Sequence, residues 1–120
     1  MPLAIITTTL PSESIPTKFC EDLSKLLSVE LIMPEEVVTV HVNAGQLMTR
    51  NGTHDPSAYI ELYHSKGYGT IDKKRKVSRT VLAYAKQRLS IDTSRIFILF
   101  KQPAGDDIGL DGGLWSDSSH

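Results

Sequence analysis

The sequence predicts an α/β (α+β) domain in which two βαβ units form a four-stranded mixed sheet with two helices on one face. The first observation behind this prediction is the order of hydrophobic periodicities, which runs strand, helix, strand and then repeats. The second is the near-equal length of the halves: 54 positions separate Leu3 from Ser57, and 58 separate Val38 from Ile96. Right-handed crossovers place both helices on the same face if the halves run antiparallel.

The composition is that of a single soluble domain spanning residues 1–120. Hydrophobic residues make up 40% of the chain, charged residues make up 22%, and the formal net charge is −1. This balance predicts no global attraction for nucleic acid or for an anionic membrane. No apolar run approaches the ~20 residues of a transmembrane helix, and Cys20, the only cysteine, excludes an internal disulfide.

The N-terminus lacks the basic and long apolar regions of a signal peptide. We therefore expect a cytoplasmic protein, for which a role outside the cell would require export without a leader.

The first half of the chain predicts a strand at residues 3–8 (LAIITT), which is apolar and rich in β-branched residues. A helix is predicted over 16–31, ended by Pro34, and a second strand over 37–42. The helical spacing is set by Phe19, Leu23, Leu26, Leu27 and Leu31.

The second half repeats the order with a strand at 57–64, a helix at 74–89 and a strand at 95–100. The helix is indicated by apolar residues that recur at helical spacing between Val77 and Leu89. The glycine- and aspartate-rich tail has one apolar anchor, Trp115. Residues 116–120 are expected to form a flexible tail.

The strands at either end of the chain are apolar on both faces. In the last strand Ile96, Ile98 and Phe100 point one way, and Phe97 and Leu99 point the other way. Strands of this kind are normally covered on both faces, and two helices cover only one. We therefore expect an exposed apolar patch and a homo-oligomer in which the sheets face inward.

Pro2 stands directly before the first predicted strand. A proline is tolerated at the first residue of a strand, because its missing N–H is not needed there. Alternatively, removal of Met1 leaves Pro2 as a free secondary amine at the tip of the strand, where it can act as a base. The position alone favours the first interpretation.

Several short motifs occur in a specific order over residues 1–115. They are Met1-Pro2, Leu10-Pro11, Ile15-Pro16 with Phe19, Val40-His41-Val42, Gln46-Leu47-Met48, Asp55 to Ala58, Arg95 to Ile98, and Ile108 to Gly112. Together they resemble the macrophage migration inhibitory factor and D-dopachrome tautomerase family.

The resemblance implies a homotrimer with an active site at each subunit interface. Pro2 would be the general base that moves a proton between carbon and oxygen in small aromatic keto–enol substrates of the phenylpyruvate or dopachrome type. The resemblance implies no cofactor and no metal. It also implies cytokine-like signalling through a cell-surface receptor.

The sequence departs from the family at the positions that would bind substrate. Met33 stands where the family usually places the lysine that holds the substrate carboxylate. Ser65 and Lys66 align with the family's Ser-Ile-Gly after a one-residue insertion, so Lys66 is either a replacement cation or a solvated loop residue. Phe97 and Leu99 replace a tyrosine and an asparagine that one branch supplies from the neighbouring subunit. Neither side chain donates a hydrogen bond to an enolate oxygen. We expect weak tautomerase activity toward carboxylate substrates, because Met33 lacks the charge that would hold the carboxylate.

Two other functions are consistent with these residues. The first is a catalytically silent, cytokine-like interaction protein that retains only the fold. The second is polyanion binding through the basic run 73–76 (KKRK), although such a run is more often a solvated face.

Overall fold

The computed structural model describes residues 1–117 and contains the predicted four-stranded mixed sheet. Its strands are β1 (Leu3–Thr8), β2 (Thr39–Asn43), β3 (Ala58–Tyr63) and β4 (Ile96–Lys101). They lie in the order β2-β1-β3-β4, with β1 parallel to β2, β3 parallel to β4, and β1 antiparallel to β3. The two βαβ halves therefore run antiparallel, as predicted.

Helix α1 (Phe19–Leu31) begins three residues later than the predicted 16–31. The difference arises because Thr17 and Lys18 lie in a turn that the Phe19 N–H closes by donating to the Pro16 carbonyl at 3.0 Å. Strand β2 likewise begins two residues later than predicted. Residues Glu35–Val37, just after Pro34, form a 3-10 turn and are not available to the sheet.

Helix α2 (Ile71–Leu89) begins three residues earlier than the predicted 74–89. Thr70 caps it, because its hydroxyl accepts a hydrogen bond from the Lys73 N–H at 3.2 Å. The cap satisfies one of the free N–H groups of the first turn. The basic run 73–76 therefore lies in the first two turns of α2, rather than at its first residue.

Both helices pack on one face of the sheet. The buried core comprises Ala4, Ile6, Ala58, Ile60, Leu62 and Ile96 from the strands and Phe19, Leu23, Leu27, Val77, Val81 and Leu89 from the helices. The helices are also joined by polar contacts. The Tyr84 hydroxyl donates to the Phe19 carbonyl at 2.7 Å, and Arg88 pairs with Asp22 at 2.8 Å.

The opposite face of the sheet is less apolar than the sequence predicts. The register places Ile5 between His41 and Glu61, with Leu99 beyond Glu61 on the edge strand. The expected apolar patch is therefore limited to β1 and β4. The prediction overestimated it because it was based on those two strands, whereas β2 and β3 direct polar side chains to this open face.

The C-terminal segment has more structure than the predicted loop. Gly109–Leu110 pair with Gly113–Leu114 as a short antiparallel ladder, and Trp115–Asp117 form a 3-10 turn in which Trp115 is buried. The first two residues of the expected flexible tail are therefore part of a turn, and the remainder lie outside the described residues. Within residues 1–117, neither helix combines the length and the apolar composition needed to cross a bilayer.

The residue that follows helix α1, Ile32, has a strained backbone conformation. The Met33 N–H donates to the Ser28 carbonyl at 3.0 Å and the Ile32 N–H to the Val29 carbonyl at 3.3 Å, which is the Schellman pattern. Ile32 occupies the left-handed position of this motif with φ 53°, and its side chain is 87% exposed. A β-branched residue is unfavourable in this conformation, and glycine adopts it without steric cost.

We expect Ile32→Gly to raise the free energy of unfolding by about 1 kcal/mol, because it removes the left-handed strain and little buried surface. For a chain of this length the melting temperature should rise by about 3–5 °C. Val29→Gly is the matched control: Val29 is also exposed but helical, so its replacement should lower stability. A lower melting temperature for both variants would contradict the strain argument.

Candidate active site

Three of the predicted site residues, Pro2, Ser65 and Lys66, lie at the end of the sheet where β1 begins. Because β3 runs antiparallel to β1, the residues that follow β3 return to the N-terminus. The Met1 amine donates a hydrogen bond to the Ser65 hydroxyl oxygen at 3.0 Å. The Pro2 carbonyl accepts one at 3.0 Å from the N–H of Thr39, the first residue of β2. The N-terminus is therefore held between the starts of β1 and β2 and the end of β3.

The electrostatics of this end of the sheet disfavour a charged N-terminal amine. The pKa of the Met1 amine is lowered from 8.0, first by burial and second by the positive charge of Lys66. Pro2 lies immediately beneath it and is itself fully buried. While Met1 is present, the nitrogen of Pro2 belongs to a peptide bond and has no basicity. In the chain that retains Met1, the basic nitrogen at the start of β1 is therefore that of the Met1 amine.

Met33 does not present a charge to this region. It is 8% exposed and lies at the end of α1, where its N–H is bonded to the Ser28 carbonyl. An apolar, flexible side chain is well suited to fill such a gap. Lys66 is the cation that follows Ser65 directly, and it influences the N-terminal amine.

Phe97 and Leu99 lie away from the N-terminus of the same chain. Leu3 is paired with Tyr63, which is paired with Lys101 on β4. Phe97 precedes Lys101 by four residues, which corresponds to ~13 Å along the strand, and it stacks on Tyr59 near the other end of the sheet. Within one chain the structure therefore brings together Pro2, Ser65 and Lys66, but not Phe97 or Leu99.

His64 is a site residue that the sequence analysis did not identify. It is 2% exposed, and its backbone N–H donates a hydrogen bond to the Lys101 carbonyl at 3.0 Å. Its pKa is lowered from 6.5 to about 4 by burial, by the N-terminal amine and by Lys66, in that order. The sequence did contain a signal for this burial. Ala58, Ile60 and Leu62 alternate on the core face of the strand, and the next residue in that alternation is residue 64.

The group in this site that is suited to acid–base chemistry is the N-terminal amine. Among residues 1–117, no group of three or more His, Cys, Asp or Glu side chains is arranged to hold a metal ion. A partly buried N-terminal amine beside a hydroxyl and a cation is suited to accept a proton at neutral pH.

Comparison with known proteins identifies the family. Residues 1–116 match the family model described as "Macrophage migration inhibitory factor (MIF)". The chain is 35% identical to the macrophage migration inhibitory factor homolog of Trichuris trichiura over 115 residues, covering 96% of this chain and all of that relative. It is 31% identical to macrophage migration inhibitory factor of Mus musculus over 116 residues, with coverage of 97% and 100%.

Solved structures agree with this result. The macrophage migration inhibitory factor of Trichinella spiralis aligns with a TM-score of 0.88 at 26% identity, covering 93% of this chain and 98% of that one. The homologue from Prochlorococcus marinus aligns with a TM-score of 0.87 at 26% identity, with coverage of 94% and 98%. The chain therefore belongs to the macrophage migration inhibitory factor family and is a divergent member of it.

We expect the stability of the protein to fall on acidification through the titration of His64. Above pH 6.5 the imidazole is neutral in both states, and between pH 6.5 and 4 the unfolded chain binds a proton that the folded protein excludes. The free energy of unfolding should therefore decrease as the pH is lowered through this window, by up to about 3 kcal/mol. Urea titrations at several pH values measure it.

The matched variants are His64→Gln and His41→Gln, since His41 is exposed on β2. The first should flatten the pH dependence in this window, whatever its effect on stability at neutral pH, and the second should retain it. An unchanged slope in His64→Gln would assign the acid sensitivity to other groups.

Proposed function

We propose that this protein, once Met1 is removed, is a keto–enol tautomerase with Pro2 as its general base. The observation that carries the proposal is the meeting of the N-terminal amine, Ser65 and Lys66 at one end of the sheet. Membership of the macrophage migration inhibitory factor family supports it.

The environment of Pro2 favours a neutral amine. The Met1 amine already has a lowered pKa, and the nitrogen of Pro2 lies one residue deeper in the same burial, close to the same Lys66 charge. Desolvation and a nearby positive charge both oppose the ammonium form. The freed secondary amine should therefore have a lowered pKa, which favours the neutral form that a general base requires.

The reaction consists of two proton transfers. In the keto-to-enol direction, the Pro2 nitrogen removes a proton from the carbon next to the carbonyl, and the electron pair of that C–H bond forms the enolate. The ammonium then returns a proton to the enolate oxygen. The enol-to-keto direction reverses these steps. The substrates are small aromatic keto acids of the phenylpyruvate type or dopachrome-type compounds.

Substrate binding is where this protein differs from an efficient tautomerase. In this proposal Lys66 attracts the substrate carboxylate, whereas Met33 has no charge to offer. A hydrogen bond to a charged group is worth about 1.5–3 kcal/mol. Without the usual lysine we therefore expect about 10–100-fold lower efficiency toward carboxylate substrates.

The proposal includes a homotrimer in which a neighbouring subunit supplies Phe97 and Leu99. Both side chains lie on the open face of an edge strand and remain 37% and 42% exposed in the single chain. They lie too far from Pro2 of their own chain to line its site. A neighbour seated on the open face would cover them and close the pocket with two apolar walls.

The first test is the enol–keto conversion of phenylpyruvate by protein from which Met1 has been removed, verified by mass. We expect measurable turnover that Pro2→Ala strongly reduces, since alanine replaces the rigid secondary amine with a more mobile primary amine at the same point of the chain. Met33→Lys should raise kcat/KM for phenylpyruvate by about 10–100-fold, and should have little effect on the methyl ester.

Turnover that is undiminished in Pro2→Ala would remove Pro2 from the role of base. No turnover in either protein would favour a second function, an interaction protein that retains the fold. The specific observation behind that alternative is the buried, uncharged Met33.

The second test addresses the assembly. We expect light scattering to give a mass of about 40 kDa, three times the 13.3 kDa of one chain. Leu99→Lys should reduce it to that of the monomer, because a charge on the open face would be buried at the interface. The new lysine faces Glu61 in the register, so the monomer should still fold.

Val29→Lys is the matched control, because Val29 is 74% exposed on α1, which packs on the opposite face of the sheet. It should leave the mass unchanged. A monomer in the unmodified protein, or a trimer that survives Leu99→Lys, would place Phe97 and Leu99 outside the site.

A further inference from the structure

Arg50, in the loop between β2 and β3, is held in place but is not neutralised by its own chain. Its Nε–H donates a hydrogen bond to the Ser94 carbonyl at 3.2 Å. Within residues 1–117 its guanidinium forms no ion pair, and its two terminal nitrogens donate no hydrogen bond. Four N–H groups of an oriented fork are therefore available to an anion.

The arginine nearest to it, Arg95, has a structural role that Arg50 lacks. The Arg95 guanidinium donates hydrogen bonds of 2.8–3.4 Å to four backbone carbonyls, those of Arg50, Thr53, Asp55 and Pro56. It thereby fixes the loop that carries Arg50. Both arginines line a pocket of about 350 Å³, and the other residues that line it, Asn51 and Ser94, are uncharged. This pocket is therefore positive, with no acidic side chain among the described residues that line it.

The guanidinium of Arg50 lies over the ring of Phe97, with 5.1 Å between its central carbon and the ring centroid. Phe97 in turn stacks on Tyr59, at a centroid distance of 5.6 Å and an interplanar angle of 16°. The cation–π contact and the hydrogen bond to Ser94 fix Arg50 to the beginning of β4. A molecule that contacts the Phe97 ring therefore also comes close to the guanidinium.

The pair of Arg50 and Phe97 acquires a role in the proposed trimer, and that role rests on the proposed function. In the trimer, the Phe97 ring of one subunit is a wall of the Pro2 site of the next. A substrate atom in contact with that ring lies ~4 Å from it. In phenylpyruvate two carbon atoms separate the phenyl ring from the carboxylate. The guanidinium, 5.1 Å from the same Phe97 ring, is then close enough to reach that carboxylate.

We propose that Arg50 of one subunit binds the substrate carboxylate in the Pro2 site of the neighbouring subunit. Its two terminal nitrogens donate to the two carboxylate oxygens, which is the bidentate geometry that arginine favours. The contact with Phe97 holds the fork in place. Lys66 attracts the same carboxylate from the subunit that supplies Pro2. Because Met33 offers no charge, the preference for carboxylate substrates depends on Arg50 and so requires the assembled trimer.

Binding of trans-cinnamate, an aromatic carboxylate that does not tautomerise, tests Arg50 without requiring turnover. In calorimetry on the protein without Met1, we expect Arg50→Gln to raise the dissociation constant of cinnamate about tenfold and that of methyl cinnamate less than about twofold. Arg79→Gln is the matched control, because Arg79 is exposed on α2, which packs on the opposite face of the sheet. It should leave both constants unchanged. No binding of cinnamate, an unchanged constant in Arg50→Gln, or an equal loss for cinnamate and its ester would each overturn the proposal.

Mixed trimers test whether Arg50 acts across the subunit interface. Pro2→Ala and Arg50→Gln chains, each with its own affinity tag, are co-expressed, and trimers that carry both tags are isolated. With random assembly of equal amounts, about a quarter of the sites combine an intact Pro2 with an intact Arg50 from the neighbour. We therefore expect kcat/KM for phenylpyruvate to exceed the mean of the two separate variants. If Arg50 acts within its own chain, no site is restored, and a value equal to that mean would overturn the proposal.

Failure of the proposed function and failure of the role of Arg50 give different results. If the unmodified protein without Met1 shows no turnover of phenylpyruvate, the tautomerase is refuted, and the cinnamate titration still decides whether Arg50 binds a carboxylate. If the protein turns over phenylpyruvate and Arg50→Gln does so with an unchanged KM, the tautomerase stands and the role of Arg50 is overturned.

Discussion

The antiparallel pairing of β1 with β3 at the centre of the sheet is the constraint on which the rest of the molecule depends. It joins the two βαβ halves, so that each helix crosses the same face, and it fixes Leu3 opposite Tyr63. The residues that follow β3 must then pass the N-terminus. A shift of one residue in this register would turn the core side chains of one of the two strands outward. The position of Ser65 and Lys66 beside the N-terminal amine is therefore as fixed as the core itself.

The same pairing separates two kinds of surface. The helix face is closed by apolar packing, whereas the open face carries an exposed Phe97 and Leu99 on one edge and Glu61 near its centre. Tyr63 donates a hydrogen bond to Glu61 at 3.0 Å, which partly satisfies this carboxylate. An open face with one apolar edge and a hydrogen-bonded polar centre is suited to a specific neighbour rather than to indiscriminate association.

Most of the fold could be predicted from the sequence because its elements follow strong periodicities. The apolar, β-branched pattern of residues 3–8 predicted the bounds of β1 correctly. The repeated strand–helix–strand order predicted the mixed sheet. The errors lie where local chemistry decides: Thr70 extends α2 by a cap, and Glu35–Val37 shorten β2 by a turn. The site could be predicted in part, since the family resemblance pointed to Ser65 and Lys66 and the β1–β3 register explains why they lie beside the N-terminus. The surroundings that bury His64 required separate segments of the chain to be placed together, which no local pattern encodes.

The local irregularities of this protein are concentrated around the end of α1. Ile32 is held in a left-handed conformation, Glu30 keeps an unpaired buried oxygen, and Met33 replaces the charge that the family resemblance leads one to expect. His64, which follows β3, keeps a second unpaired buried atom. A β-branched residue in the left-handed region and buried polar atoms without partners each lower the free energy of unfolding. The end of α1 is therefore less stable than the apolar packing of the helix alone would make it.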